Sequence, residues 1–250
     1  MIRAVNISKS FHETQVLKNI SVCFEPGMTN LIIGQSGSGK TVLMKCLLGL
    51  HEVDEGSVLF DDRNFSGMSV QEKKFIRQEI GMVFQGGALF DSMTVEENVM
   101  FPLNMYTSQT LAEKKERVDF CLERVNLSES NKLFPAELSG GMKKRVAIAR
   151  AIAMNPKYLF CDEPNSGLDP KTAIVIDKLI SQLTKDFNMT TIVNTHDMNS
   201  VMEIGDKIAF IFNGELWWEG TKEDILNTEN IEINEFVYAT ELTKRLKKSV

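Results

Sequence analysis

The run Gly34-Gln35-Ser36-Gly37-Ser38-Gly39-Lys40-Thr41 is the first place where residue types and spacing point to chemistry. It matches GxxxxGK[ST], follows the apolar residues 30–33 and opens into the helix-compatible Val42-Leu43-Met44-Lys45. Glycines let a backbone curl until its N–H groups converge on phosphate oxygens, and a helix N-terminus adds a favourable partial charge. Lys40 suits the β- and γ-phosphates, and the Thr41 hydroxyl suits Mg²⁺. A Gly-rich turn is the plain alternative, and the strand-loop-helix context makes it the weaker one. The pattern specifies a nucleoside triphosphate and leaves open what its energy drives.

Further along, residues 157–163 read as an apolar strand that ends in two acids, Asp162 and Glu163. Adjacent carboxylates at a strand end are costly to bury unless a cation or hydrogen-bond donors meet them. Asp162 is suited to hold Mg²⁺ through water, and Glu163 to polarise an attacking water. A solvated acidic turn is the simpler reading of the pair alone; downstream of a phosphate loop it becomes the minor one. Gln85 closes the strand-like residues 81–84 and could reach Mg²⁺ or the water, and His196 follows 190–194 and could sense a γ-phosphate. Taken singly, neither carries weight. Leu138-Ser139-Gly140-Gly141-Met142 then precedes a basic helical run. Ser139 would cap a helix whose glycines leave its N-terminus bare, a second anion site. One chain rarely needs two γ-phosphate cradles, so this one would serve the nucleotide of another chain. An ordinary capped basic helix is the alternative.

The elements that must position these residues are legible in outline. Apolar runs at 29–34, 57–60, 80–84, 158–161 and 190–194 suit strands buried on both faces of a mainly parallel sheet. Asn213-Gly214 between two apolar runs predicts a β-hairpin, because both turn residues need φ > 0. Ser69 with Glu72 and Thr110 with Glu113 match the capping box. After Thr110, the residues Val118, Cys121, Leu122 and Val125 share one helical face. Asp169-Pro170 reads as a cap and first helical residue, with Ile176, Leu179, Ile180 and Leu183 as the apolar stripe. From about 92 to 153 strand signals vanish and helical ones dominate, which predicts an inserted helical subdomain.

Composition bounds the rest. The 250 residues carry a net charge of −6, with 43% apolar and 25% charged residues, an ordinary globular balance that disfavours disorder and fibrous repeats. Mild acidity argues against a nucleic-acid partner. The four cysteines (Cys23, Cys46, Cys121 and Cys161) form no CxxC pair and lie among apolar neighbours, so buried structural thiols in a reducing compartment are expected. No uncharged apolar stretch reaches the roughly 18 residues that span a bilayer. The N-terminus lacks the apolar core of a signal peptide. Composition therefore predicts a soluble, cytosolic chain.

The order of these motifs resembles the ATP-binding cassette (ABC) ATPases over about residues 2–220. The series runs through Phe11, the loop 34–41, Gln85, Leu138 to Met142, Asp162-Glu163, Ser166-Gly167-Leu168-Asp169 and His196. The resemblance implies an α/β, P-loop NTPase fold of ABC type. It has a mainly parallel RecA-like core, an N-terminal antiparallel β region and an inserted helical subdomain, with 221–250 as a C-terminal extension. It implies ATP and Mg²⁺, and a head-to-tail homodimer in which two ATPs lie between one subunit's phosphate loop and the other's signature. Phe11 would stack on adenine, and Gly34, Gln35, Ser36, Gly37, Ser38, Gly39, Lys40 and Thr41 would cradle the phosphates. Thr41, Gln85 and Asp162 would hold the metal, and Ser139, Gly140 and Gly141 would bind the partner's γ-phosphate. Glu163 would be the general base, with Lys40, Gln85 and His196 completing the catalytic set. Asp169 would cross the dimer interface, although its capping role stands equally well. Met142 replaces the usual Gln and Asn165 the common Thr, which bears on rate.

Within the family, Gly86-Gly87-Ala88-Leu89-Phe90-Asp91-Ser92 looks like the ATPases of Mla/Mce-type lipid transporters, as do Lys144-Arg145-Val146-Ala147 and the closing Phe236-Val237-Tyr238-Ala239-Thr240. That resemblance implies an ATPase on the cytoplasmic side of the inner membrane, peripheral through integral permease subunits, with an Mce-type lipid-binding protein as a further partner. Residues 86–99 would line the groove for a permease coupling helix, or Leu89, Phe90 and Met93 would simply fill the subdomain core. The alternative functions are another ABC system (small-solute import or lipoprotein release) or a soluble, non-transport ABC protein. The basic tail Lys244, Arg245, Lys247 and Lys248 fits an anionic leaflet or, more simply, a solvated helix end, and the resemblance offers docking of the segment around Phe236 and Tyr238 against the neighbouring ATPase.

Overall fold

A computed structural model describes residues 1–238, so the basic tail lies outside the described residues, as do Ala239 and Thr240. The chain divides into two compact units. One gathers Ile2–Cys23, Asn30–Ser66 and the chain from Asn194; the other gathers Met1, Phe24–Thr29 and Gly67–Val193.

The first unit begins with the strands β1 (Ile2–Phe11) and β2 (Thr14–Phe24), then β3 (Thr29–Ile33), helix α1 (Lys40–Leu47) and strands β4 (Glu55–Phe60) and β5 (Arg63–Asn64). A four-stranded sheet has the order β2-β1-β4-β5, with β1 antiparallel to β4 in the register Ile2↔Phe60. Along β2 two-fold alternation buries Ile20, Val22 and Phe24 and leaves Cys23 on the other face, while Leu17 is buried out of that phase, with Asn19 at φ 51 between. Cys23 is thus half-buried rather than buried as expected, while Cys46, Cys121 and Cys161 are buried, and none of the four is in a disulfide. Burial pushes the thiols of Cys46 and Cys121 up to about 11, and that of Cys161 higher still.

The unit resumes after the strand β8 (Thr190–Asn194) with α7 (Met198–Ile204), β9 (Lys207–Phe212), β10 (Glu215–Gly220), α8 (Lys222–Asn227) and α9 (Ile231–Val237). Strand β9 pairs in parallel with β3 and antiparallel with β10. The expected hairpin is present, with Asn213 at φ 51 and Gly214 at φ 81. This turn does more than reverse the chain. Gly214 N–H donates to the Ser38 carbonyl at 3.1 Å, and the Gly214 carbonyl accepts from Lys18 N–H at 2.8 Å. A Cβ there would sit 2.3 Å from the Val16 carbonyl oxygen. Helix α9 packs Phe236 against Phe210 with ring centroids 5.4 Å apart, and Trp217 Nε1 donates to Glu232 at 3.0 Å.

The second unit holds α2 (Val70–Gln78), β6 (Ile80–Val83), α3 (Val95–Tyr106), α4 (Leu111–Arg124), α5 (Gly140–Ile152), β7 (Tyr158–Asp162) and α6 (Pro170–Asp186), together with most of β8. Its strands lie in the order β8-β7-β6, with β6 parallel to β7 in the register Ile80↔Tyr158. Residues 158–161 and the whole of β8 are buried; the first read as a continuous apolar run, whereas β8 buries Thr190, Thr191 and Asn194 beside Ile192 and Val193. Both expected capping boxes form, Ser69 with Glu72 and Thr110 with Glu113, and a third joins Thr94 to Glu97. Residues 92–153 contain helices and no strand. There Arg117 on α4 donates to the carbonyls of Ile152 and Ala153 at 2.7 and 2.9 Å, satisfying the end of α5 with a cation. No helix among the described residues is long and apolar enough to cross a membrane.

Because Gly214 braces the phosphate loop, Gly214→Ala is expected to destabilise the chain by more than about 1 kcal/mol, since it forces both a strained φ and a backbone collision. Nucleotide affinity should fall with it. Denaturant unfolding and ATP binding of the variant check both.

Candidate functional site

In the first unit the strand β3, buried throughout, delivers Gly34 to the loop. Gly34 has φ 147, and a Cβ on it would meet the Ile211 carbonyl oxygen at 2.2 Å. The loop closes with Ser38 N–H donating to the Gln35 carbonyl at 3.2 Å, and Gly39 then caps α1. No side chain bonds the N-terminal N–H groups of α1 at its cap, so the helix presents a bare, partly positive end. Lys40 is 8% exposed, and its Nζ donates to the carbonyls of Gly34 at 2.8 Å and Gln35 at 2.9 Å. The Ser38 hydroxyl is buried with no hydrogen-bond partner, a polar group that a phosphate oxygen would satisfy. The loop therefore fits a triphosphate.

Around it, Thr41 and His196 are exposed, and Asn194 Nδ2 donates to Thr41 Oγ1 at 3.3 Å. His196 lies between β8 and the Asp197 cap of α7. Phe11 is 38% exposed at the end of β1; its ring meets His51 edge-on at 5.1 Å, with Lys9 Nζ 5.5 Å from its centroid. An aromatic face held this way can take a planar base.

In the second unit, α5 organises the remaining candidates. Ser139 caps it, its hydroxyl accepting from Met142 N–H at 3.2 Å, as the sequence predicts. Substituting Met142 for the usual Gln leaves this cap intact, because only the main chain is used. A Cβ on Gly141 would lie 2.7 Å from Thr172 Cγ2 on α6, so close packing as well as anion access requires a small residue there. From the same helix Lys144, buried, donates to the Gln85 carbonyl. Burial draws the Lys144 ammonium below its usual range, and the Glu163 carboxylate opposes that shift. Arg150 donates to the carbonyls of Gly87 and Ala88, both at 2.7 Å. Two cations on α5 thus grip the backbone at residues 85–88.

Beyond that grip, Asn98 on α3 is fully buried and organises the following turn. Its Oδ1 accepts from Phe90 N–H at 2.8 Å, and its Nδ2 donates to the carbonyls of Phe90, Met93 and Thr94 at 3.0–3.1 Å. Of the apolar residues there, Val95 and Val99 are core, whereas Phe84 and Phe90 are 45% and 40% exposed. The segment is therefore partly core filler and partly a presented surface.

The acidic pair ends β7 with both side chains partly exposed, and Glu163 adopts φ 47, a left-handed conformation uncommon for a non-glycine residue. Its carbonyl accepts from Ser166 N–H at 3.1 Å, and the Ser166 hydroxyl accepts from Gln85 Nε2 at 3.4 Å. Asn165 donates to the buried Asp177 at 3.2 Å, which accounts for an amide where Thr is common. Asp169 caps α6, accepting from Lys171 and Thr172 N–H at 3.1 Å, so its capping role is realised. Its carboxyl is held below the ordinary range chiefly by the Thr172 hydroxyl.

The hydroxyl of Thr41, the amide oxygen of Gln85 and the carboxylate of Asp162 are hard oxygen donors, the kind Mg²⁺ prefers. Among the described residues no cluster of three or more His, Cys, Asp or Glu could hold a metal. Sequence reasoning gave no role to Lys144, Arg150, Asn98 or Asn194. The first two bond to backbone carbonyls about 60 residues away, which no side-chain spacing can announce.

The model of the ABC transporter family matches residues 17–166. The chain belongs to the ABC transporter family. It is similar to the methionine import ATP-binding protein of Clostridioides difficile, 41% identical over 92% of this chain and 72% of that protein. The methionine import ATP-binding protein of Clostridium tetani is 38% identical over 97% of this chain and 76% of that protein. Among solved structures, a dimeric ATP-binding cassette in a post-hydrolysis state, bound to ADP and Pi, superposes with a TM-score of 0.79. It is 33% identical and covers 89% of this chain and 99% of its own. This chain is thus an ATP-hydrolysing ABC transporter subunit with the P-loop ABC fold, an antiparallel N-terminal sheet and a mainly parallel core. The lipid-transporter affiliation expected from residues 86–92 finds no counterpart in the names of these relatives, which are methionine importers.

Replacing Asn98 by Leu removes the acceptor of the Phe90 N–H and the side-chain donor to the Met93 carbonyl, while the Phe90 and Thr94 carbonyls keep the N–H groups of Met93 and Asn98. A loss of about 1–3 kcal/mol in unfolding free energy is expected, together with protease sensitivity within residues 86–94. Denaturant titration and limited proteolysis measure the two effects.

Proposed function

We propose that this ABC subunit works as a homodimer beneath two membrane permease subunits and powers the uptake of a small solute of amino-acid size. The observation that carries the cargo class is the similarity, up to 41%, to methionine import ATP-binding proteins over more than nine-tenths of this chain. In this reading the chain is peripheral to the inner membrane on its cytoplasmic side and takes its membrane position from the permease. Phe11 stacks on adenine, the loop 34–41 binds the phosphates, and Thr41, Gln85 and Asp162 hold Mg²⁺, which would shield charge on the phosphates. The Glu163 carboxylate accepts a proton from the water that attacks the γ-phosphorus, and His196 and Lys40 stabilise the phosphate charge. Ser139, Gly140 and Gly141 complete the site of the opposite subunit at the N-terminus of α5. The solved relative that supports a paired arrangement is itself dimeric.

A second reading keeps the same motor and changes the cargo to lipid, with an Mce-type partner. It is favoured by residues 86–92 and the exposed Phe84 and Phe90, the surface offered to a permease. The ATPase of such a system never touches cargo, so its overall similarity reports the motor more directly than the load. Purification of the chain from its native membrane separates the readings. A permease with a solute-binding protein supports the first, and an Mce-type lipid-binding partner replaces it with the second.

Glu163→Gln is expected to lower phosphate release by at least about 100-fold and to accumulate ATP-bound dimers on size-exclusion chromatography. Wild-type turnover would remove Glu163 from the role of base. Ser139→Arg should abolish hydrolysis while leaving ATP binding by the same chain intact; parallel loss of both would contradict a site shared between subunits.

A further inference from the structure

The end of β8 carries a contact outside the phosphate-loop motif. Asn194 is 1% exposed, and its Nδ2 donates to Thr41 Oγ1 at 3.3 Å across 153 residues of sequence. The next residue, Thr195, donates its N–H to the Ile32 carbonyl at 3.1 Å, two positions before Gly34. A main-chain bond therefore fixes the strand end that bears Asn194 to the strand that feeds the loop. The Asn194 amide is held at Thr41 by the backbone as well as by its own torsions. On the far side, the Thr195 hydroxyl accepts from Asp197 N–H at 3.1 Å, which ties down the turn containing His196.

A threonine hydroxyl has one proton and two acceptor positions. The amide of Asn194 occupies one acceptor position, which leaves the other with a defined direction. Bonds of this kind, made to a ligand rather than to the metal, orient the ligating atom and are worth about 10–100-fold in metal affinity.

We propose that Asn194 is a positioning residue which, by donating to Thr41 Oγ1, aims the free acceptor position of that hydroxyl at the divalent cation carried by ATP. The proposal rests on the reading of Thr41 as a metal ligand and goes beyond it by naming the group that orients it. Asn194 also stands two residues before His196, so the strand end that contacts Thr41 leads directly into the turn that carries His196. A buried amide that only filled space would influence stability and nothing else.

Mn²⁺ serves as the probe. Its binding to the intact chain is followed by electron paramagnetic resonance with ATP present, and ATP affinity is measured separately in EDTA. Asn194→Leu, of similar volume without a donor, should weaken Mn²⁺ binding about tenfold or more and leave ATP affinity in EDTA unchanged. Asn194→Ser, which keeps a shorter donor, should recover part of the loss, and Asn194→Ala gives the same comparison if the leucine variant does not fold. Unchanged Mn²⁺ affinity with a lowered melting temperature would reduce Asn194 to a structural residue, and an equal fall of ATP affinity in EDTA would also overturn the proposal. Absence of ATP-dependent Mn²⁺ binding in the wild-type chain would instead remove Thr41 from the metal, and the proposal with it.

Discussion

The phosphate loop keeps its shape because its own backbone is bonded from outside. Gly214 N–H meets the Ser38 carbonyl, and Thr195 N–H meets the Ile32 carbonyl at the strand that leads in. A loop of glycines left to itself would sample many conformations, and ordering it at the moment of binding would cost conformational entropy. These two bonds fix the loop beforehand. They come from a hairpin turn and a strand end far away in sequence, so the phosphate site depends on the correct assembly of β3, the end of β8 and the turn after β9. The bare start of α1, the folded-back Lys40 and the contact at Thr41 all follow from that assembly.

On the other unit the organising element is α5. Its first turn carries Ser139 and the two glycines, its middle holds Lys144 on the Gln85 carbonyl, and its later turn holds Arg150 on the Gly87 and Ala88 carbonyls. Asn98 then fixes residues 90–94 against α3. The backbone on either side of the exposed Phe90 is thus held by hydrogen bonds from α5 and α3, and α5 begins at Gly140, directly after the Ser139 cap.

Much of this was legible in the residues, and the legible part was local or periodic. The strands β3, β7 and β8 stood out because burial on both faces favours apolar stretches, here 31–33, 158–161 and 192–193, even with polar residues at the strand ends. The hairpin stood out because Asn213-Gly214 satisfies two positive φ angles, and the caps at Ser69, Thr110, Ser139 and Asp169 because each uses atoms within a few residues. The phosphate loop, acidic pair and signature were readable since their chemistry lies in contiguous side chains. Lys144, Arg150, Asn98 and Asn194 were not, because each acts on a partner that only folding brings near. Cys23 was misjudged for a related reason: apolar neighbours in a strand say nothing about which face a residue takes, and Val22 and Phe24 occupy the inner one. Cargo is harder still to read, since it is not encoded in the residues that handle ATP.

The two carbonyl bonds of Lys40 have a consequence for turnover. The ammonium has partners within its own loop, the Gly34 and Gln35 oxygens, and does not depend on phosphate for them. An ammonium carries three donors, so these two carbonyls satisfy most of it, and a departing product leaves behind a cation that its own loop already holds. For a machine that cycles, a lysine that can do without its substrate keeps a tight grip from becoming a permanent one.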